Sequence, residues 1–398
     1  MSFQLYHADN ISNELNGLKI TTAGFIQRSA PGPPPDAELL AGQAAFIGAP
    51  DNAVKSLVET VKTITKDPAL TALYNYLLEL NNLAAIGDTA GGAMQAAVLF
   101  GFLPRVRRRH AEMNVPEEIT RDTFNDLVVG LENYAVKNDG AFGVRFYRQW
   151  LHHHFNCELF KIGRLQYMLK PYGSYARVFA EDATGEIMIT AQNGVRFRGD
   201  GLLDLEGKTE EDGGYWLSET SREKNHIVSN CLLVNGRAVR TPVKINLNIW
   251  REAFSEGSYG LEMHIPRGAG LTRPDCIGSL REAWRFFHKL FPDKHFETFY
   301  CGSWLLDNRM QHILPPGSGI VEFQKLYRLY PLPGSEWPFL DRVFGADPTT
   351  ITDLKQFAQT ADRNTSLRRG VADYWLAGGR LSPAGGIIHH YDLFKMNE

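Results

Sequence analysis

A change of pattern near Pro171-Tyr172-Gly173 limits the fold of this chain more than any other feature. Before it, apolar residues recur at three-to-four spacing, the period of a helix with one buried face. After it, short runs of β-forming residues stand between turn dipeptides. The first part predicts helices over Asp51–Lys66, Ala69–Leu83, Ala93–Leu103 and from Pro116 through Asp122–Lys137. Asp67-Pro68 reads as an N-cap followed by a first-turn proline. No strand is expected before about residue 170. Ala30-Pro31-Gly32-Pro33-Pro34-Pro35-Asp36 cannot be helical, so residues 1–36 are read as an irregular segment.

The second part carries two hairpin signals. Tyr175–Ala180 and Glu186–Thr190 flank Asp182-Ala183-Thr184-Gly185, and Cys231–Val234 and Ala238–Val243 flank Asn235-Gly236. Trp250–Phe254 reads as a short helix. Tyr259–Ile265 is then expected as a strand, Pro266–Leu271 as a glycine-rich turn, and Pro274–Leu290 as a helix with Ile277, Leu280, Trp284 and Phe287 on one face. His295–Cys301 and Gly319–Tyr330 are expected as further strands, followed by helices including Asp353–Ala361 and Ser366–Leu376 and a glycine-rich tail. A strand–loop–helix–strand run is the crossover that a parallel pair needs. The predicted domains are 37–165, helical; 166–331, the sheet domain; and 332–398, a helical tail.

The chain has 398 residues, ample for two domains with buried cores. Its net charge of −3 supplies no overall basic field for nucleic acid or an anionic membrane. Cys157, Cys231, Cys276 and Cys301 are scattered, which argues against a disulfide framework or a structural zinc site. No apolar run reaches the ~20 residues a membrane span needs, and the first residues lack a signal-peptide pattern, so the expectation is a cytoplasmic protein with reduced thiols.

Arg267-Gly268-Ala269-Gly270-Leu271-Thr272 lies between the expected strand and helix. Its glycines permit positive φ and close approach of a ligand to the backbone. Amides bared at a helix start, with the positive end of the helix dipole and the Arg267 charge, form an anion site. The bland reading is a simple turn. His152-His153-His154 point about 100° apart on a helix and do not readily share one ion, and His389-His390 is treated alike. No metal is expected. Asp200-Gly201-Leu202-Leu203-Asp204 resembles half a calcium loop but lacks the closing carboxylate. The basic run Arg105–His110 reads as a solvated helix end.

The loop resembles the acyl-CoA pyrophosphate loop of the GNAT acyltransferases, R/Q-x-x-G-x-G/A, with Arg267 and Gly270 in place and Thr272 where Gly or Ala is usual. A wider set of residues is similar to a bacterial two-domain family with a helical N-terminal domain and a GNAT-like C-terminal domain. This set is Glu262-Met263-His264-Ile265-Pro266, Gly270, Cys276, Ser279, Cys301-x-Ser303-Trp304-Leu305-Leu306-Asp307, Leu159-Phe160-x-x-Gly163-Arg164-Leu165-Gln166 and Thr365-Ser366-Leu367-Arg368-Arg369. The resemblance implies an α+β fold: a GNAT-like mixed sheet with flanking helices, preceded by an all-helical N-terminal domain. It implies acyl transfer from acyl-CoA, acetyl or longer, to a small-molecule or peptide amine lying between the domains. The acyl-CoA would be held by Ile265, Arg267, Gly268, Ala269, Gly270, Leu271 and Thr272, its thioester in a gap between two splayed parallel strands. A non-catalytic acyl-CoA or nucleotide binder, or an interaction module on the same scaffold, is the alternative.

Acyl transfer to an amine needs a base, an oxyanion donor and an acid for the leaving thiolate. Glu262 and His264 share one face of the first strand and are the base candidates. Tyr300, Cys301 and Ser303, at and after the end of the second strand, are the acid candidates. Many GNATs use a tyrosine just beyond that strand, where this chain has Trp304-Leu305-Leu306. Cys301 is also read as a nucleophile with His264 as its base, or as an ordinary buried cysteine. An oxyanion donor would be a first-strand backbone amide.

Overall fold

The computed structural model describes residues 32–79, 91–145, 148–204 and 214–396. The expected irregular segment, but for 32–36, and the end of the helix expected over 69–83 lie outside them. The chain divides into two compact units, Met1–Ile162 and Gly163–Glu398.

Helices α1 (Ala37–Phe46), α2 (Asp51–Lys66), α3 (Pro68–Leu77), α4 (Gly92–Glu112), α5 (Glu117–Lys137) and α6 (Arg148–Phe155) make up the first unit, which ends in strand β1 (Leu159–Ile162). Asp67 caps α3 by accepting from the amides of Ala69 and Leu70, so the Asp-Pro signal is used as read. The basic run is counter-charged: Arg107 bonds Glu117 at 2.6 Å and lies over the Phe46 ring, and Arg109 bonds Glu112. The three neighbouring histidines take separate partners. His152 faces Asn156, His153 faces Glu158, and buried His154 faces Asp126 at 3.1 Å.

His110 is buried against Phe124 and Phe160 with Nδ1 on the Thr120 hydroxyl, and burial, then the charge of His154, lowers its pKa to about 4. Its folded pKa lies below the unfolded value, so stability is lost as pH falls from about 6.5 towards 4. Acid unfolding over that window should cost up to about 3 kcal/mol, with a slope that His110→Gln removes, read from denaturant titrations at several pH values.

The second unit holds two larger sheets and a two-stranded ladder of β5 (Arg196–Arg198) with β6 (Tyr215–Leu217). One runs β2 (Leu165–Pro171), β11 (Tyr259–His264), β12 (Thr298–Ser303), β14 (Ala384–His389), β13 (Arg328–Pro331); only β11 and β12 are parallel, and α7 (Arg273–Leu290) connects them. The other is antiparallel, with β10 (Trp250–Phe254), β3 (Ala176–Glu181), β4 (Glu186–Ala191), β8 (His226–Leu232) and β7 (Thr220–Glu223) in order and β9 (Ala238–Asn246) on β8. Gly185 and Gly236, at φ +67° and +80°, make the two hairpin turns that the sequence signalled. Tyr172, Phe254, Tyr300, Tyr330 and Ile387 belong to one buried cluster that includes residues of both sheets.

Four expectations are corrected. Strands begin before residue 170, with β1 and β2. Trp250–Phe254 is a strand, because five residues seldom sustain an isolated helix while pairing with β3 satisfies its backbone. Gly319–Tyr330 splits into helix α8 (Gly319–Gln324), capped by the Ser318 hydroxyl, and β13. The glycine-rich tail is no tail: β14 lies inside the first sheet, between β12 and β13. The glycines are what allow it. A Cβ on Gly385 would lie 2.0 Å from the Tyr330 ring, and one on Gly386 would lie 2.5 Å from the Tyr327 ring. Two of the C-terminal helices, α9 (Leu354–Thr360) and α10 (Ser366–Leu376), are capped by Asp353 and Thr365 and belong to a cluster around buried Trp375. No helix among the described residues is long and apolar enough to cross a membrane.

Candidate active site

The ladder between β11 and β12 holds only Leu261↔Phe299 and Glu262↔Tyr300. Beyond that rung each strand goes on pairing with its outer neighbour, β11 through His264↔Gln166 and β12 through Ser303↔Ala384. Two parallel strands that keep their outer partners and drop each other leave a wedge between their C-terminal halves. An opening of this kind is where an extended ligand can pair as an added strand.

The glycine-rich loop follows β11 directly. Arg267, Gly268, Ala269 and Gly270 are exposed, and Ile265 and Leu271 half-buried. Neither Gly268 nor Gly270 has positive φ, and a Cβ on either would meet nothing within 4 Å. The free protein therefore does not need glycine there, and the expectation of left-handed backbone is corrected; room for a close ligand is the remaining reason. Thr272 is the N-cap of α7. Its oxygen accepts from the Asp275 amide and its hydroxyl donates to the Asp275 carboxylate.

Arg164 holds the loop from behind. Its Nε donates to the carbonyls of Ala269 at 2.9 Å and Gly270 at 3.3 Å, and its Nη1 to that of Pro266 at 3.0 Å. Sequence reading quoted Arg164 and gave it no role. Ser279, on α7, takes the Leu165 amide and the Tyr167 hydroxyl, which fastens the helix behind the loop to β2.

Glu262 and His264 share a face, as their parity predicts. Their Oε2 and Nε2 are 3.8 Å apart, and the Lys170 ammonium, on the same face of β2, lies 3.4 Å from the same carboxylate oxygen. Burial would raise the Glu262 carboxyl, but the His264 ring and the Lys170 charge together hold it below the ordinary carboxylate value. Lys170 is a site residue that sequence reading missed; the diagonal contact across β2 and β11 depends on strand register.

The second-strand candidates are not gathered at this pair. Tyr300 shares its face, but its ring is buried against Tyr172 and Phe254, its hydroxyl is aimed at the Pro171 carbonyl, and burial, then the Glu262 charge, pushes the phenol far up. Cys301 points to the opposite face, as the next residue of a strand must. It is fully buried, and burial, then Glu262, pushes its thiol up to about 12. A thiol there neither reaches His264 nor ionises near neutral pH, so the nucleophile reading is withdrawn. Ser303 also lies on that far face, its oxygen accepting from the Leu305 amide as a cap.

Among the described residues the group that could hold a metal ion is Glu297, His389 and His390. Arg251 already bonds both oxygens of Glu297, at 2.7 and 3.0 Å, and His389 Nδ1 accepts the Tyr391 amide. That is an ion-pair network with its positive charge in place, poorly suited to a cation. Asp200 and Asp204 of the half calcium loop are likewise paired, with Arg198, Arg237 and Arg196.

Residues 159–388 match the family described as GNAT-like C-terminal domain, and residues 40–157 match the N-acyltransferase N-terminal domain. The chain belongs to the GNAT-like acyltransferase family. With that membership goes its chemistry, acyl transfer. Three similar solved structures are an acyltransferase with decanoyl-CoA and teicoplanin, a mutant acyltransferase with octanoyl-CoA, and an acyltransferase with decanoyl-CoA. The first is 18% identical with a TM-score of 0.58, covering 94% of this chain and 98% of that one. The second is 17% identical with a TM-score of 0.57, covering 94% and 99%. The third is 18% identical with a TM-score of 0.57, covering 96% and 99%. At such identities the likeness shows a shared fold over nearly the whole of each chain. No curated protein sequence matches.

Proposed function

We propose that this GNAT-like acyltransferase is an N-acyltransferase in which a small-molecule amine attacks the acyl-CoA thioester directly. The observation that carries this reading is the β11–β12 ladder that stops at Glu262↔Tyr300 while both outer ladders continue. The acyl-pantetheine arm lies in that wedge as an added strand, and the diphosphate lies on the exposed amides of 267–271 at the start of α7. The acceptor class is supported by the similar acyltransferase that holds teicoplanin beside decanoyl-CoA, and by the anionic Glu262, which draws an ammonium into the site.

The steps balance without a covalent enzyme intermediate. The acceptor ammonium gives one proton to the Glu262–His264 pair. The freed nitrogen attacks the thioester carbon, and a backbone N–H inside the wedge stabilises the oxyanion. The oxyanion's electron pair then re-forms the carbonyl as the C–S bond breaks and its pair stays on sulfur; the thiolate takes the second proton that the nitrogen sheds in becoming an amide, and the first leaves the Glu262–His264 pair to solvent. A thiolate is a good leaving group, so a strong protein acid is not required.

Calorimetric titration with acetyl-, octanoyl- and decanoyl-CoA, paired with thiol release over a panel of amines, tests the proposal. Saturable binding and amine-dependent CoA release support it; no heat with any acyl-CoA on folded protein overturns it, and binding with no turnover favours the non-catalytic alternative. Cys301→Ser should keep kcat within about threefold of wild type. Iodoacetamide at pH 8 should leave Cys301 unmodified in the native protein, read by peptide mass spectrometry.

A further inference from the structure

We propose that Arg164 is the positioning residue of the diphosphate site: it sets the direction of the loop's amides from behind, without touching the ligand. The inference rests on the acyl-CoA reading of the loop. A trans peptide unit is planar, with its C=O and N–H on opposite sides. Arg164 draws the carbonyls of Pro266, Ala269 and Gly270 to itself, so the amides of Arg267, Gly270 and Leu271, across the same three peptide units, face the other way.

That arrangement answers a problem the loop would otherwise have. Its residues are exposed, and its two glycines are held by no close neighbour at their Cβ positions. Such a segment left alone samples many backbone states, and a ligand would have to order it on binding. One planar guanidinium, spanning three carbonyls from the turn that opens at Gly163 (φ +57°), fixes that order beforehand. Lysine, a point charge on a flexible stem, cannot span the same three oxygens. Arg164 is half-buried behind the loop, with burial lowering its pKa and the nearby Asp275 charge opposing that shift.

The test compares decanoyl-CoA with decanoyl-pantetheine, the same thioester arm without the diphosphate, on wild type, Arg164→Lys and Arg164→Gln. Arg164→Gln should raise the Kd and KM for decanoyl-CoA by about 10–30-fold, with kcat at saturation unchanged and decanoyl-pantetheine affinity unchanged. Arg164→Lys should restore at most part of the loss. A fall in affinity for both ligands alike, or a fall in kcat at unchanged KM, overturns the assignment, since either marks general damage to the sheet. Equal decanoyl-CoA affinity in all three proteins overturns it too. If Arg164→Gln does not fold, Arg164→Lys alone decides by the same ratio. Wild type that binds neither ligand would instead remove the acyl-CoA reading of the loop.

Discussion

Replacing Glu262 by glutamine should lower kcat/KM for acyl transfer by about 10²-fold, with acyl-CoA affinity within about twofold of wild type. Glutamine keeps the size of the side chain and can still accept a hydrogen bond, so the rung to Tyr300 and the wedge should survive. What disappears is the negative charge that His264 and Lys170 hold in place. Without it the acceptor ammonium is less attracted and the imidazolium formed on proton transfer loses its counter-charge. Steady-state kinetics beside calorimetry of acyl-CoA binding separate the two effects. Turnover equal to wild type would remove Glu262 from the reaction. Because the carboxyl sits below its ordinary pKa, the wild-type activity that depends on its charge should persist down through the usual carboxylate range before it falls.

The largest expected effect on stability comes from Gly385→Val. Tyr330 lies directly across from Gly385 in the β13–β14 ladder, and its ring occupies the space a Cβ would need. Tyr330 is 2% exposed and is packed on Tyr175, whose hydroxyl donates to the Pro331 carbonyl at 2.5 Å. The ring has nowhere to go without opening the core. Overpacking of this kind costs about 3 kcal/mol, a large share of a domain's stability. Denaturant unfolding should show the midpoint falling steeply; Gly268→Ala, where a Cβ meets nothing, is the control that should leave it unchanged. A midpoint for Gly385→Val equal to wild type would mean that the ring moves freely.

These two positions also mark what could be read from the sequence. The β-α-β unit and both hairpins were legible, because Asn235-Gly236, the loop glycines and the periodic face of α7 are local signals. Glu262 and His264 were legible as a pair, since strand parity puts them on one face. Strand β2 was not: Leu165-Gln166-Tyr167-Met168 is buried on both faces and shows no alternation. Strand β14 was not, because Gly385-Gly386 reads as a loop until Tyr327 and Tyr330 are known to lie over it. Lys170 and Arg164 were invisible as site residues for the same reason. Their partners lie about a hundred residues away, and only register and a backbone path connect them.

Strand β14 has one more consequence, for how the protein is made. It is the last strand in the sequence, yet it lies between β12 and β13 rather than at an edge. While the ribosome is still building residues 304–383, β12 has one flank bare, and β13 has no partner in its sheet. The second unit therefore cannot assemble piece by piece as it emerges; it must wait for Ala384–His389 to thread into a slot left open for them. Nascent chains halted before that point should be sensitive to protease in this unit while the helical first unit is already resistant.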